Sequence, residues 1–397
     1  MNTNGERVSL LPVMGWGAFL ACSWTWCIGM FLPVLLVRDL GLPGFAAFAL
    51  PNIIGAAMFG AIFANPQSQS DFLRSHRTAI WAFSIATVAF QAFFAISLML
   101  PAPISAMQAT TLLGTAACAF AIRWICQQPR SLVLASIGTW AISCVLMIIA
   151  ARHGHEGPPG DLVRYQPERA QLIGLGAVCA LGFALCPWLD RTFHFARQSI
   201  PGPRGTWAFA LGFGVLFATM LGFTLLYSRA GTLTIVPDDG SAPFAPWIAF
   251  APVVLSHIAM QLGFTIGAHL PWCAKDAPSD IGPDEPKARE RLWVFGPLLV
   301  GGVLAMFASS ANGLYELTGF EITYRCFMAL YGLVFPAYVW ICAPKVHASQ
   351  PPTKRALIVW IAAMAIAAPF FWIGFMQRRY EWITPGVAII LSARLFR

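Results

Sequence analysis

Three features of this sequence predict an all-α integral membrane fold of 11–12 transmembrane helices, built as a 5+5 inverted-topology repeat in which helices 1 and 6 are broken. Of the 397 residues, 58% are hydrophobic and only 11% charged, and a mean hydropathy of +0.67 is far above that of a soluble domain of this length. Apolar runs of membrane-crossing length follow one another almost without pause. A glycine-rich pattern at the start of the first run returns five runs later.

A helix needs roughly 20 mostly apolar residues to cross the hydrocarbon core. That template fits 11–37, 42–64, 78–100, 104–126, 131–151, 170–189, 206–227, 244–271, 292–312, 322–343 and 356–376. A last stretch, ITPGVAIILSA from Ile383, is short and opens with Pro385 and Gly386, which leaves a tilted twelfth span and an interfacial helix both open. The N-terminal run has one arginine, Arg7, before Pro12 and no small-residue cleavage site behind it, so it reads as a retained span. The longest connections, near 152–169, 190–205 and 272–291, are rich in Pro, Gly and charge and too short for a soluble domain. The expected organisation is a first five-helix repeat over 11–151, an inverted second repeat over 170–343, and one or two additional helices over 356–397.

Loop charges predict orientation, because cytoplasmic loops collect Lys and Arg. On the side of the N-terminus the count is 14, including Arg74, Arg77, Arg191, Arg197, Arg204 and Lys275, against 8 opposite, including Arg38, Arg325, Arg378 and Arg379. The expectation is a multi-pass protein of the cell (inner) membrane with its N-terminus in the cytoplasm. The same bias accounts for the net charge of +8 without a nucleic acid partner, and no basic stripe interleaved with aromatics lies outside the spans. The ten cysteines form no C-x-x-C pair and fall mostly inside spans, where a thiol packs as a small hydrophobe.

The first span contains GWGAFLACSWTWCIGMF from Gly15, with hydroxyls at Ser23 and Thr25; the sixth reads GLGAVCALGFALCPWLDR from Gly174. An odd offset of five spans sets the second copy upside down relative to the first. Glycine weakens a helix by about 1 kcal/mol relative to Ala, and backbone groups freed at membrane depth are tolerated only where they line a cavity or meet a ligand. Interrupted spans at matching positions of two halves point to a transporter binding site. The competing reading is close helix packing through small residues.

His257, Gln261, Thr265 and His269 recur every four residues along the eighth span and predict a polar stripe turned into the bundle. Of the four, His269 lies nearest the cytoplasmic end and is the one least expected at a solute. Weaker stripes, Ser84, Thr87 and Gln91 in span three and Ser136, Thr139 and Ser143 in span five, read as packing contacts. The 17 acidic residues fall outside the apolar cores, with Asp190, Glu316 and Glu321 at the margins. With no carboxylate in the membrane interior, a neutral, zwitterionic or anionic solute is favoured over a cation. Asp190 and His194 read as a solvated cytoplasmic face, and no metal-ligand spacing, nucleophile elbow or P-loop supports an enzyme or an ATP-driven pump.

The stretch CPWLDRTFHFARQSIPGPRG from Cys186, followed by a Gly-rich span ending in GFTLLYS, resembles the sodium/solute symporter family of the leucine-transporter-like (amino acid-polyamine-organocation) superfamily, as a divergent member. Pro187 and Arg191 carry the match best, and Asp190 stands where that family has a polar amide. TWCIGMFLPVLLVRDLG from Thr25 is similar to the family's first core helix, and the eighth span ends in WCAKD at Asp276 in the same manner. The resemblance implies a solute site between spans one, three, six and eight, and a sodium ion held by carbonyls of broken span one and hydroxyls of span eight. Candidate ion ligands are Ala21, Cys22 and Thr265; where the family has adjacent hydroxyls this chain has Met260 and Gln261.

The expected function is a secondary carrier of a small organic solute, with sodium as a candidate coupling ion and no other cofactor. Ser23 and Thr25 would supply hydroxyls, Trp24 and Trp26 apolar walls, Gly182 a backbone opening, and His257 with Gln261 polar selectivity. Partners are the solute and the lipid bilayer, with oligomeric state open. The alternatives are a major facilitator-type carrier, whose G-x-x-x-D-R-x-G-R signature is missing from ANPQSQSDFLRSHR, and a transporter-fold sensor or enzyme.

Overall fold

The computed structural model describes residues 10–98, 100, 106–153, 167–229, 245–278, 285–311, 313–343 and 350–397. Arg7, Arg164 and Lys345 of the charge count, and most of the 152–169 connection, lie outside the described residues. The chain is helical throughout, with one isolated bridge between Leu314 and Leu317 and no strand among the described residues.

In order the helices are α1 (Leu10–Trp24), α2 (Cys27–Ile62), α3 (Pro66–Ser75), α4 (Arg77–Ser97), α5 (Ala106–Phe120), α6 (Pro129–His153), α7 (Arg169–Leu185), α8 (Arg191–Ser199), α9 (Pro203–Leu211), α10 (Ala218–Arg229), α11 (Ala245–Lys275), α12 (Pro286–Ser310), α13 (Gly319–Ala329), α14 (Phe335–Cys342), α15 (Lys354–Met376) and α16 (Ile383–Ala393). Wide π turns continue α5 (Ala121–Ile125), join α9 to α10 (Gly212–Phe217) and join α13 to α14 (Leu330–Val334). Nine helical stretches are long and apolar enough to cross a membrane among the described residues. This is an integral membrane protein.

Within α2 the backbone reverses at Gly41, whose φ of 63° and ψ of −160° only glycine adopts without strain. The sequence-predicted spans 11–37 and 42–64 therefore meet at a one-residue hinge. The helix that begins at Ile383, α16, is 11 residues long and packs on α15. Tyr380 sits at one end of α15, hydrogen-bonded to Arg325 and Asp39. At the other end Arg355 Nε donates to the Phe396 carbonyl and Trp340 Nε1 to that of Leu391. The segment 380–396 thus packs alongside α15 from one end to the other.

Helix contacts come in symmetric pairs. α4 packs along α12 and α5 along α11; α2 packs along α7 and α1 along α9 with its π turn. Shifting every partner by five spans turns each pair into its mate, which is what two inverted repeats require. The innermost helices are α11, with 83% of its apolar window buried, and α13–α14, with 72%, whereas α6 keeps only 17% buried and faces lipid.

The glycines of the first and sixth spans do not make the breaks, contrary to the expectation drawn from their repetition. Gly15 abuts Val133; Gly174 abuts the Tyr380 carbonyl; Gly17 crosses Gly212, where added Cβ atoms would meet backbone at 3.3 and 2.9 Å. Each lets two helices approach closely. Gly55 serves the α2–α7 crossing in the same way, since a Cβ there would lie 2.5 Å from the Phe183 carbonyl oxygen. Gly55→Val is expected to force these helices apart and cost about 1–3 kcal/mol, read as a lower unfolding midpoint in detergent. Gly176→Ala, with nothing within 4 Å of its Cβ, should leave the midpoint no lower; equal midpoints for both variants would refute the packing account.

Candidate functional site

The two breaks face each other in the middle of the bundle. α1 ends at Trp24, and Thr25 and Trp26 are non-helical, with Trp26 extended at φ −80° and ψ 173°. α7 tightens into a 3₁₀ turn, Cys186–Leu189, opened by Pro187, after which Asp190 caps α8 by accepting from Thr192 N at 2.7 Å. A pocket of ≈ 20 Å³, about the room of one water, lies between the breaks and is lined by Trp24, Trp26, Asn52, Phe183, Cys186 and Tyr331 among others. A second, apolar space of ≈ 40 Å³ shares Ile28, Phe183 and Tyr331 with it and leads past Gly182 to Arg325 and Tyr380 at the far end of the bundle.

Side chains bond the backbone groups around the first break, where the Ala21 carbonyl keeps its helical partner, Thr25 N at 3.0 Å. Thr25 Oγ1 donates to the Ala21 carbonyl at 2.7 Å, the Trp26 indole to the Ser23 carbonyl at 2.5 Å, and Thr265 Oγ1 to the Cys22 carbonyl at 3.4 Å. Cys27 N donates to Gln91 Oε1 at 3.1 Å, and the Cys27 carbonyl accepts from Tyr324 at 3.1 Å. Gln91→Leu keeps the volume but leaves the buried Cys27 N–H without an acceptor. The expected result is a loss of about 1–3 kcal/mol in unfolding stability, and an unchanged midpoint would show that the amide does not hold the break.

Of the sequence-predicted residues, Trp24 and Trp26 line the central pocket, Trp24 Nε1 donating to Asn52 Oδ1 at 2.8 Å. Gly182 lines the adjoining apolar space. Ser23 and Thr25 turn their hydroxyls to the Leu20 and Ala21 carbonyls of their own helix. His257 Nδ1 and Gln261 Nε2 both lie 3.0 Å from Ser143 Oγ on α6, and the His257 ring packs on Phe223. These two do not line the central pocket. Ala21, Cys22 and Thr265 do come together, with both carbonyls already taken by hydroxyls.

Sequence reasoning missed the other half of the site. Asp190 and His194 are fully buried, so the solvated cytoplasmic face expected for them is wrong. His194 packs on Phe59, Phe63 and Phe72 and meets Gln69 of α3 at 3.1 Å. The expectation that no carboxylate enters the interior also fails: the Asp190 side chain is 0% exposed and that of Asp39 4%. The cause is geometric. Because α7 breaks rather than ends, the chain is still inside the bundle at Asp190, past the 20 residues that a straight span would use. His269 lies beside the break, its ring 5.8 Å from that of Trp26 and its Nε2 3.8 Å from Asp190 Oδ1.

At the far end Arg325, 2% exposed, bridges Glu321 Oε1 at 2.7 Å and Asp39 Oδ2 at 2.9 Å, while Arg38 reaches Glu321 at 2.7 Å. Arg325 also donates to the Phe375 carbonyl and Tyr380, tying α2, α13 and α15 together above the apolar space.

No family model matches the sequence, and no curated protein does. Among solved structures the chain is similar to a substrate-bound, outward-open Na+-coupled sialic acid symporter, with a TM-score of 0.54 and 12% identity over 97% of this chain and 90% of that one. It is also similar to a mutant of the Eremococcus coleocola manganese transporter, with a TM-score of 0.50 and 12% identity over 99% and 94%. The architecture is that of the leucine-transporter fold, with inverted repeats and discontinuous first and sixth core helices. The major facilitator alternative is thereby set aside.

Proposed function

We propose that this chain is a secondary active transporter of a small organic solute, neutral, zwitterionic or anionic, working by alternating access in the cell (inner) membrane with α1 entering from the cytoplasm. The division into repeats at 11–151 and 170–343, with 356–397 added, is part of this reading. The observation that carries it is the juxtaposition of two interrupted helices across a pocket, with an ion network closing one end. Similar structures are transporters by name, which supports a carrier over an enzyme.

The pocket wall argues the substrate class. Its polar side chains are Asn52, Trp24, Trp26, Tyr331 and Cys186, none of them charged, and the two carboxylates at the far end are held by Arg38 and Arg325. A cation would find no free counter-charge there. Aromatic rings with a single amide suit a compact solute with an apolar body and one or two hydrogen-bonding groups. Solute entry requires the passage between Arg325 and Gly182 to widen, since the present space holds little more than water.

The test is uptake into proteoliposomes across a panel of amino acids, carboxylates and sugars, with sodium or pH gradients imposed separately. Accumulation of one solute that Asn52→Leu abolishes supports the site. Transport indifferent to Asn52 and to Trp24→Ala would place the path elsewhere.

A further inference from the structure

We propose that Asp190 and His269 form one proton-binding couple, and that the driving ion of the carrier is a proton taken up and released there; this rests on the transport reading above.

Both residues are fully buried. Asp190 Oδ1 accepts from Thr192 Oγ1 and N at 2.7 Å each, and Thr192 Oγ1 in turn lies 3.4 Å from Ser23 Oγ on α1. Asp190 Oδ2 and both ring nitrogens of His269 have no hydrogen-bond partner among the described residues. Groups of this kind carry a large cost when buried unpaired, and a carboxylate with no cation in contact is costlier still.

The surroundings supply no fixed countercharge. Arg191, next in the chain, turns away to Asp276 Oδ2 at 3.3 Å and stacks over Trp272 at 4.2 Å. Arg77 of α4 donates to the carbonyls of Lys275, Asp276 and Ala277, and Lys275 lies over Trp272. The α7 turn presents Cys186 and α13 continues into Tyr331, each bonded elsewhere: Cys186 to the Tyr331 carbonyl, Tyr331 to Thr87. From α1 comes Ser23, from the break Trp26, and along α11 Cys273 follows one turn on. His194 is occupied by Gln69 and the Trp188 carbonyl.

Holding one proton between them, the acid and the imidazole are neutral overall, either as carboxyl with imidazole or as carboxylate with imidazolium. Without it the site is a bare buried anion. The closed bundle therefore favours the protonated couple, and loss of the proton to water favours an arrangement that lets water in. The position suits such a cycle. Trp26 stands between the couple and the central pocket, while Gly267, Ala268, Pro271 and Trp272 on α11, beside His269, line a ≈ 200 Å³ cavity with Phe19 and Phe195 on the side where α1 begins. A proton arriving with solute from the pocket side binds the couple; after α1 and α8 move it leaves to water in that cavity.

Two measurements on the full-length protein test this. Infrared difference spectra of the reconstituted protein over a pH series should show a carboxyl C=O band that titrates, that Asp190→Asn removes, and whose midpoint His269→Gln shifts. In proteoliposomes, an inside-alkaline gradient of one pH unit should sustain up to about tenfold accumulation of a neutral solute from the panel per proton, with lumenal pyranine reporting acidification, and either variant should bring the ratio to one while solute exchange persists at reduced rate. If Asp190→Asn does not fold, His269→Gln carries both readouts. No titrating band, with solute still moving, overturns the proton site alone. A titrating band with accumulation driven only by sodium overturns the coupling. A titrating band with no solute moved under either gradient overturns coupling and transport together, while leaving the protonation of Asp190 standing.

Discussion

Arg325→Met is expected to lower unfolding stability by about 3–5 kcal/mol, because it leaves two buried carboxylates with one remaining cation. Arg325 contacts Glu321, Asp39, Tyr380 and the Phe375 carbonyl at once, and its side chain is 2% exposed. Arg38, 36% exposed, reaches Asp39 and Glu321 but cannot replace a guanidinium beneath them. The control is Arg378→Met, which breaks a pair whose partner Glu316 is 86% exposed and should move the midpoint by no more than about 0.5 kcal/mol. Tryptophan fluorescence during thermal unfolding in detergent compares them, and equal midpoints would refute a buried network. Adding Asp39→Asn and Glu321→Gln to Arg325→Met should recover part of the loss, since neutral amides remove the uncompensated charge. If the network closes the path toward the far side, the same triple variant should also raise the rate at which a thiol reagent reaches Cys179, which lines the apolar space.

The spans were legible because crossing a bilayer is a length rule. The predicted 78–100, 322–343 and 356–376 correspond to Arg77–Ser97, Gly319–Cys342 and Lys354–Met376. That the first and sixth are interrupted was legible too, but not where. Glycine marks helix weakness, which permits a break without causing one. In the second repeat Pro187 causes it; in the first, Trp26, Gln91 and Thr265 hold it by taking over the freed backbone groups. The stripe on α11 was correctly read as turned inward, for all four residues are fully buried. Its common target was not, because each step of four residues advances about 40° around the helix, and three steps turn it by about 120°. His257 and Gln261 therefore face Ser143, Thr265 faces Cys22, and His269, the residue least expected at the site, faces Trp26 and Asp190. Asp190 was lost to the same length rule that found the spans, since it follows the twentieth residue of a run that goes on inside the bundle.

Trp26→Ala should have the largest effect on the site itself. The indole touches the rings of Trp24 at 4.6 Å, Tyr331 at 5.3 Å, Phe83 at 5.5 Å and His269 at 5.8 Å, and it is 2% exposed. Removing it leaves a cavity worth about 3–5 kcal/mol of lost packing and frees the Ser23 carbonyl that its Nε1 satisfies. The cavity also joins the central pocket to Asp190 and His269, which the indole separates. Two results are expected together in proteoliposomes: solute uptake falls, and the lumen acidifies under an imposed pH gradient even with no solute present. Trp26→Phe keeps most of the barrier and loses one hydrogen bond, worth about 1 kcal/mol, so it should retain uptake and stay proton-tight. A leak common to both variants would point to general loosening of the bundle, and a tight Trp26→Ala with undiminished uptake would show that the indole is neither wall nor divider. Because the leak depends on the ring and the uptake on the pocket shape, the pair of substitutions separates a filler of space from a partition between solute and proton.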